Sequence, residues 1–289
     1  MSIKVEGNLR HSTTHRLITT IERSQSGPEA TSSTRRSKSD EVLTEEPLEI
    51  RINDQSSDPF RLATIMRTPG NDFDLAIGYL ISEGVIKEKS HLANVCYCNL
   101  VESEEQRYNV VTVTLRTSKV IERNRSTPIS SACGICGTTT LDDIFQDESP
   151  LPKTVSVDSS IVFELPDSLR KRQKLFHKTG SAHAAGIFNL KGEALLVRED
   201  VGRHNALDKA IGASLVKDQF PLKDKIAVLS GRIALELIQK ALMAKVEIVV
   251  AVGAPSSLAL DLADRANLTV VGFTSMRRFN IYSHPERII

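Results

Sequence analysis

Three patterns of apolar and polar positions follow one another along the chain. Residues 1–45 show no apolar period. The stretch RSQSGPEATSSTRRSKSDE is polar and poor in aromatics, a composition that buries too little surface to offset ordering entropy, so residues 1–45 are expected to form a disordered tail. Alternation begins at Pro47-Leu48-Glu49-Ile50-Arg51-Ile52, and strands are predicted over 47–52 and 60–66. In RTPGNDFDLAIGYLISEG, the residues Ala76, Ile77, Leu80 and Ile81 recur at helical spacing. Asn71 or Asp72 suits the helix start and Gly84 the position after its end. Strands are expected over 94–100 and 108–115, and a basic helix over 167–176. Residues 46–130 therefore read as an N-terminal α+β unit.

From about residue 182 the pattern changes again. Apolar runs over 185–188 and 194–197 flank Lys191-Gly192, a hairpin signal. A strand is predicted over 226–229. A helix over 232–244 follows, with Ala234, Leu237, Ile238, Ala241 and Leu242 on one face and a Glu236–Lys240 pair at i,i+4. The near-continuous apolar run 246–252 fits a strand covered on both faces. Ser256 or Ser257 caps a helix to Ala266 that Asn267 closes, and a strand over 268–273 ends the series. Strand–helix alternation implies right-handed crossovers and a mixed, largely parallel central sheet in an α/β domain over 131–289.

Composition narrows the partners. With 289 residues, 40% hydrophobic and 25% charged, the chain has ample material for a core, and its net charge of +1 gives no global basic field for nucleic acid. An anionic ligand must be held by local charge. The N-terminus lacks the apolar region of a secretory signal, and no apolar run approaches the roughly 20 residues of a membrane span, so a cytoplasmic protein is expected. Cys96, Cys98, Cys133 and Cys136 are then expected to be thiols, metal ligands or catalytic groups rather than a disulfide framework.

In open α/β sheets ligands gather at the carboxyl ends of strands. Here those ends carry Ser230-Gly231-Arg232, Gly253-Ala254-Pro255-Ser256-Ser257 and Thr274-Ser275-Met276-Arg277-Arg278, and the hairpin runs into Arg198-Glu199-Asp200-Val201-Gly202-Arg203-His204-Asn205. Each turn offers small residues, hydroxyls or arginines, and three lead into helices. Helix N-termini and arginine forks suit phosphate, so a pocket for a phosphorylated ligand is expected. His183 and His204 join it as further candidates. Asp200 and Asp208 are hydrogen-bond acceptors for the ligand or partners for Arg203, the pairing suiting Asp208, inside a helix. His284 reads as a terminal anchor.

The candidate chemistry lies in Ser131-Ala132-Cys133-Gly134-Ile135-Cys136-Gly137-Thr138. Glycine after each cysteine keeps the sulfurs reachable. The segment from Thr138 reads as a helix start, whose dipole favours thiolate, the form that attacks sulfur, binds metal or carries a group.

These segments together resemble the FdhD family, sulfur carriers needed for formate dehydrogenase activity. The resemblance is carried by MRTPGNDFDLAIGYLISEGVI, SACGICGTTTLDDI, TGSAHAAGIFNLKGEALLVREDVGRHNALDKAIG and the stretch from LSGRIALELIQK to YSHPERI, and covers roughly residues 45–289. It implies that a cysteine desulfurase loads Cys133 with a persulfide. The sulfur then passes to a bis-molybdopterin guanine dinucleotide cofactor of molybdenum or tungsten, destined for formate dehydrogenase. Cys136 is the second motif cysteine, which either helps expel the sulfur through disulfide formation or tunes Cys133. The family's cofactor contact maps onto Phe273, Thr274, Ser275, Met276, Arg277 and Arg278, alongside Arg232, Arg203, His183 and His204. The resemblance also implies a cytidine-deaminase-like α/β/α main domain and a homodimer, with no tightly bound metal of the protein's own. One departure is Gly231 in Ser230-Gly231-Arg232, where the family's turn is SSR-like; glycine there still permits close ligand approach.

Three rival readings stand beside it. A zinc hydrolase of the deaminase type needs H-x-E ahead of P-C-x-x-C. Here the paired cysteines precede the histidine, Ala132 replaces proline, and Ala184-Ala185 follow His183, so the signature is absent. A structural zinc site from all four cysteines would pair C-x-C with C-x-x-C, and strand alternation puts Cys96 and Cys98 on one face; the plainer reading makes these two small buried hydrophobes. The third rival is a non-covalent chaperone that shields and delivers the cofactor.

Overall fold

The computed structural model describes residues 11–23, 33–55, 58–98, 108–116, 150–152 and 154–289. Cys133 and Cys136 lie outside the described residues, and so do the predicted helix start at Thr138 and the division between units at 130/131.

The first unit is a four-stranded sheet. Strands β3 (Glu46–Asn53), β4 (Phe60–Arg67), β5 (Leu92–Tyr97) and β6 (Val110–Leu115) take the order β4-β3-β6-β5. The β3–β6 pairing is parallel and the other two are antiparallel. Leu48, Ile50 and Ile52 alternate into the core, as the pattern predicts. Helix α1 (Asp72–Ser82) begins after Asn71 and ends just before Gly84, with Leu75, Ala76, Ile77, Leu80 and Ile81 buried. Asn71 is the cap residue, with no side-chain hydrogen bond to the first turn, and Asp72 serves a buried ion pair instead. Its carboxylate receives Nε and Nη2 of the fully buried Arg67 at 3.0 and 2.9 Å, together with Tyr97 Oη at 3.1 Å.

The main domain is a six-stranded sheet in the order β12-β11-β10-β9-β7-β8. Its strands are β7 (His183–Asn189), β8 (Ala194–Asp200), β9 (Lys225–Leu229), β10 (Ile248–Ala251), β11 (Thr269–Gly272) and β12 (Asn280–Ser283). Only β9, β10 and β11 pair in parallel; β7, β8 and β12 are antiparallel to their neighbours. The sheet is thus mixed as expected but less parallel, because the β7–β8 hairpin joins one edge and the polar strand β12 folds back on the other.

Helix α2 (Ser159–Arg170) covers one face through Val162, Leu165 and Leu169. It starts well before the basic stretch at 167–176, since the Asp158 carboxylate accepts Ser160 N–H at 2.8 Å and caps it. That stretch instead divides between the end of α2 and the short helix α3 (Lys174–Thr179). The opposite face carries α4 (Arg203–Val216), α5 (Leu235–Met243) and α6 (Ser257–Arg265), giving three α/β/α layers.

The two units share one core, because α1 lies directly on α4. A Cβ on Gly78 would sit 1.8 Å from the Asp208 carbonyl oxygen, and one on Gly212 would sit 1.9 Å from that of Asp74. Only glycine allows the helices to approach this closely. Around the contact, Arg198 meets Asp74 at 2.8 Å and Lys240 meets Asp208 at 2.8 Å.

The expectation of a disordered tail over 1–45 is corrected. Within it, β1 (Thr13–Arg23) and β2 (Ser33–Leu43) form an antiparallel pair in register from Thr13↔Leu43 to Arg23↔Ser33. The β-branched run Ile18-Thr19-Thr20-Ile21 supports a strand without aromatics. The base is closed by Thr44 N–H to Ser12 O at 2.9 Å and Ser12 Oγ to Pro69 O at 2.8 Å.

Candidate functional site

The strand ends singled out from sequence meet at one end of the six-stranded sheet, joined through main-chain hydrogen bonds. Phe273 N–H donates to Gly253 O at 3.1 Å, and Gly253 N–H to Gly231 O at 3.2 Å. Ser230 N–H donates to Ala184 O at 3.0 Å, while Ser230 Oγ accepts Ala184 N–H at 2.8 Å. His183 pairs with Asp200 across the hairpin. The turns are packed closely enough that a Cβ on Gly253 would sit 2.8 Å from Gly231 O. This is the carboxyl edge of the parallel strands, where ligands of α/β sheets bind.

The N-termini of three helices of the covering layer open at this edge. The caps of α4 and α5, Gly202 and Ala234, make no side-chain hydrogen bond to their first turns. Those N–H groups keep their affinity for an anion. Ser256 caps α6 with its own Oγ, which accepts Ala259 N–H at 3.4 Å, as the sequence predicts. Helix α5 begins three residues later than expected. Ile233 instead extends the sheet edge, donating its N–H to Ala254 O at 2.9 Å and accepting Ser256 N–H at 2.9 Å. Arg232 is consequently an exposed turn residue rather than the first residue of a helix.

Arg203 is the first residue of α4, and its Nε is buried with no hydrogen-bond partner among the described residues. The turn before it is held by Asp200, fully buried. Oδ1 accepts Gly202 N–H at 2.9 Å and Asn205 Nδ2 at 2.8 Å; Oδ2 accepts Thr68 N–H at 3.1 Å. Lys209 Nζ stands 2.6 Å from Oδ2 and also donates to Thr68 O at 2.8 Å. The expected pairing of Asp208 with Arg203 is corrected: buried in α4, Asp208 binds Lys240 and Ser82, the latter at 2.6 Å, and Asp200 does not pair with Arg203 either. Sequence reading missed Thr68, Asn205 and Lys209, whose roles depend on contacts more than 130 residues apart or one helical turn beyond the motif.

His183 and His204 flank Arg203. Burial, assisted by the Arg203 charge, lowers the pKa of His183, with Asp200 opposing. For His204, burial and the charges of Arg203 and Lys240 lower it to about 4, Glu236 opposing, so this imidazole is neutral at physiological pH. Beyond the sheet edge, Phe273 adopts a left-handed backbone conformation, φ 51°, unusual for a bulky residue, and its ring is substantially exposed. The next side chain, Thr274, is buried with Oγ1 unpartnered among the described residues. Ser275 Oγ accepts the N–H groups of Arg277 and Arg278 at 3.4 and 3.3 Å, which shapes the turn displaying Met276 and both arginines to solvent. The structure thus gathers His183, Arg203, His204, Arg232 and 273–278 along one edge. His284 lies elsewhere, donating from Nε2 to Asp264 O at 3.0 Å, as an anchor.

Cys96 and Cys98 are not buried hydrophobes. Cys96 is exposed on β5, because this face of the four-stranded sheet is turned to solvent. Among the described residues no group of three or more His, Cys, Asp or Glu side chains could hold a metal ion.

The model of the FdhD/NarQ family matches residues 43–289. The chain belongs to the FdhD/NarQ family. Curated FdhD relatives agree over most of their length. Sulfur carrier protein FdhD of Corynebacterium efficiens is 43% identical over 252 residues, 84% of this chain and 89% of that one. The protein of the same name from Nocardia farcinica is 43% identical over 254 residues, 87% and 89% of the two chains, and that from Picrophilus torridus is 39% identical over 252 residues, 86% and 92%. A crystal structure from Desulfotalea psychrophila, assigned to a formate dehydrogenase accessory protein, superposes with TM-score 0.72 over 95% of this chain and 99% of that one at 21% identity. At that identity the superposition shows the shared FdhD fold. The β1–β2 hairpin lies almost wholly outside the residues matched by the family model.

Proposed function

We propose that this chain is a sulfurtransferase of the carrier type, taking sulfur from a cysteine desulfurase as a persulfide on Cys133 and passing it to a bis-molybdopterin guanine dinucleotide cofactor required by formate dehydrogenase. The observation that carries this is Cys133-Gly134-Ile135-Cys136-Gly137, kept within a chain that belongs to a family whose curated members bear the name sulfur carrier protein. In the loading step the Cys133 thiolate attacks the outer sulfur of the donor persulfide. The donor's sulfur–sulfur bond breaks, and its cysteine leaves as thiolate. Delivery as sulfide is balanced when the Cys136 thiolate attacks the Cys133 sulfur: the outer sulfur departs as sulfide and the two cysteines, having supplied two electrons, remain as a disulfide. If Cys136 only tunes Cys133, the metal supplies those electrons.

The acceptor is cargo, and the sheet edge supplies groups that fit it. A guanine dinucleotide carries phosphates for the open N-termini of α4 and α5 and for Arg203, Arg232, Arg277 and Arg278. The unpartnered Arg203 Nε and Thr274 Oγ1 are donors suited to such a ligand. Phe273 offers an exposed ring to the base. Neutral His183 and His204 can each donate one hydrogen bond and accept one. The α/β/α layering supports the deaminase-like fold implied by the resemblance, and a homodimer in the cytoplasm belongs to the same reading. Among the described residues no helix is long and apolar enough to cross a membrane.

Complementation tests the function as a whole. In a host lacking its own family member, the wild-type chain restores formate dehydrogenase activity and Cys133→Ala leaves it at background with equal amounts of soluble protein. Full activity with Cys133→Ala would remove the persulfide role.

A further inference from the structure

The described residues hold a second pair of thiols, and its setting differs from that of a buried structural cysteine. Cys96 lies opposite Thr112 of β6, and Cys98 continues the ladder by donating its N–H to Val110 O at 2.9 Å. Two positions apart on one strand, their side chains leave the same face, with Cα atoms about 6.6 Å apart. That face is solvent-facing at Cys96. In the parallel pairing Arg51 of β3 lies opposite Thr112 and Glu49 opposite Val110, so the row beside the thiols carries a cation. Arg51 Nη1 reaches Cys98 Sγ at 4.0 Å while its Nε binds Glu49 at 2.5 Å. Burial and the neighbouring Cys98 raise the Cys96 pKa, so the two sulfurs feel one another and Cys96 rests as a thiol, a poor nucleophile.

We propose that Cys96 and Cys98 form a two-thiolate site for copper(I). Soft thiolates select soft ions, and copper(I) is satisfied by two sulfurs in line, whereas a structural zinc ion takes four ligands. The described residues supply no third metal-ligating side chain to the group. Two thiolates and one copper(I) carry one negative charge, set beside an Arg51 guanidinium that Glu49 already neutralises. Binding is an acid–base exchange without redox. Each thiol loses a proton as its Cu–S bond forms, two protons leave per ion, and affinity rises with pH. The proposal does not rest on the sulfur-carrier reading.

The test uses the full chain carrying Cys133→Ser and Cys136→Ser, which removes the other thiol pair. Reduced and kept anaerobic, this protein is titrated with copper(I) held by the chelator bicinchoninate. One copper per chain is expected to be withdrawn from the chelator. Adding Cys96→Ser or Cys98→Ser is expected to abolish that withdrawal with an unchanged circular dichroism spectrum. Failure to withdraw copper, or undiminished withdrawal after Cys96→Ser, would overturn the assignment, as would retention of zinc in preference to copper(I).

Discussion

The Asp200 carboxylate lies 2.6 Å from the Lys209 ammonium, with both side chains buried. Four hydrogen bonds from this pair and its neighbours tie the turn before α4 to Met66 and Thr68 at the end of β4. The pair therefore holds Arg203 and His204 at the sheet edge through a contact with the other unit. Removing one partner leaves the other as an uncompensated buried charge. Lys209→Met is expected to cost about 3–5 kcal/mol, read by urea unfolding, and to weaken guanine-nucleotide binding in the fraction that remains folded. A loss below about 1 kcal/mol would show that Asp200 is satisfied by its N–H donors alone.

The helix crossing of α1 and α4 makes a second prediction. A methyl group on Gly78 meets the Asp208 carbonyl at 1.8 Å, a backbone atom that no rotamer change moves aside. Gly78→Ala is expected to destabilise by about 1–3 kcal/mol or more, although alanine favours helix. Gly180→Ala is the control: nothing lies within 4 Å of its Cβ, and its cost comes from φ 71° rather than from crowding. Gly78→Ala matching wild type in a thermal melt would contradict the close approach of the two helices.

His204 gives stability a pH dependence of known sign. Its folded-state pKa, about 4, lies below the ordinary value of 6.5, so the unfolded state binds the proton more readily. Its contribution is present above pH 6.5 and is lost as pH falls from 6.5 toward 4. Buried Asp74, Glu83 and Asp208 have raised pKa values, from burial first, and act in the opposite direction. The difference between wild type and His204→Gln isolates the histidine. Urea unfolding from pH 7 to pH 4.5 is expected to show a steeper loss for wild type than for the variant, and parallel curves would refute the assignment.

The exposed turn 274–278 predicts a loss of binding without a loss of fold. Arg277→Ala removes a charged donor, worth about 1.5–3 kcal/mol, so affinity for guanosine diphosphate is expected to fall roughly 10- to 100-fold by calorimetry. Because Arg277 is exposed and contributes to the turn through its main-chain N–H, which the substitution keeps, the melting temperature stays unchanged. Equal affinity for the two proteins would take Arg277 out of the site.

What could be read from sequence follows from how local each signal is. The stripe Ala76, Ile77, Leu80 and Ile81, the Lys191-Gly192 turn and the apolar run 246–252 encode their elements within a few residues, and all are present, the last as the shorter strand β10. The gathering of Ser230, Gly253 and Phe273 at one edge followed from parallel connectivity alone. The late start of α5 was hidden because Ile233 prefers a long-range hydrogen bond with Ala254 to a helical turn. The partners of Asp200 were hidden because Thr68 lies 132 residues away. The β1–β2 hairpin was hidden because its strands bury little, so no apolar period marks them. Cys96 was misjudged because exposure depends on which face of the sheet the core occupies, which two cysteines in alternation do not reveal.

Persulfide formation is the step on which the functional account depends. The most direct measurement is mass spectrometry of the full chain after incubation with a cysteine desulfurase and cysteine. A gain of one sulfur atom on the peptide containing Cys133, absent from Cys133→Ala and reversed by a thiol reductant, is the predicted result. An unmodified Cys133 peptide from a protein that still activates formate dehydrogenase would contradict the account and leave a non-covalent cofactor chaperone in its place.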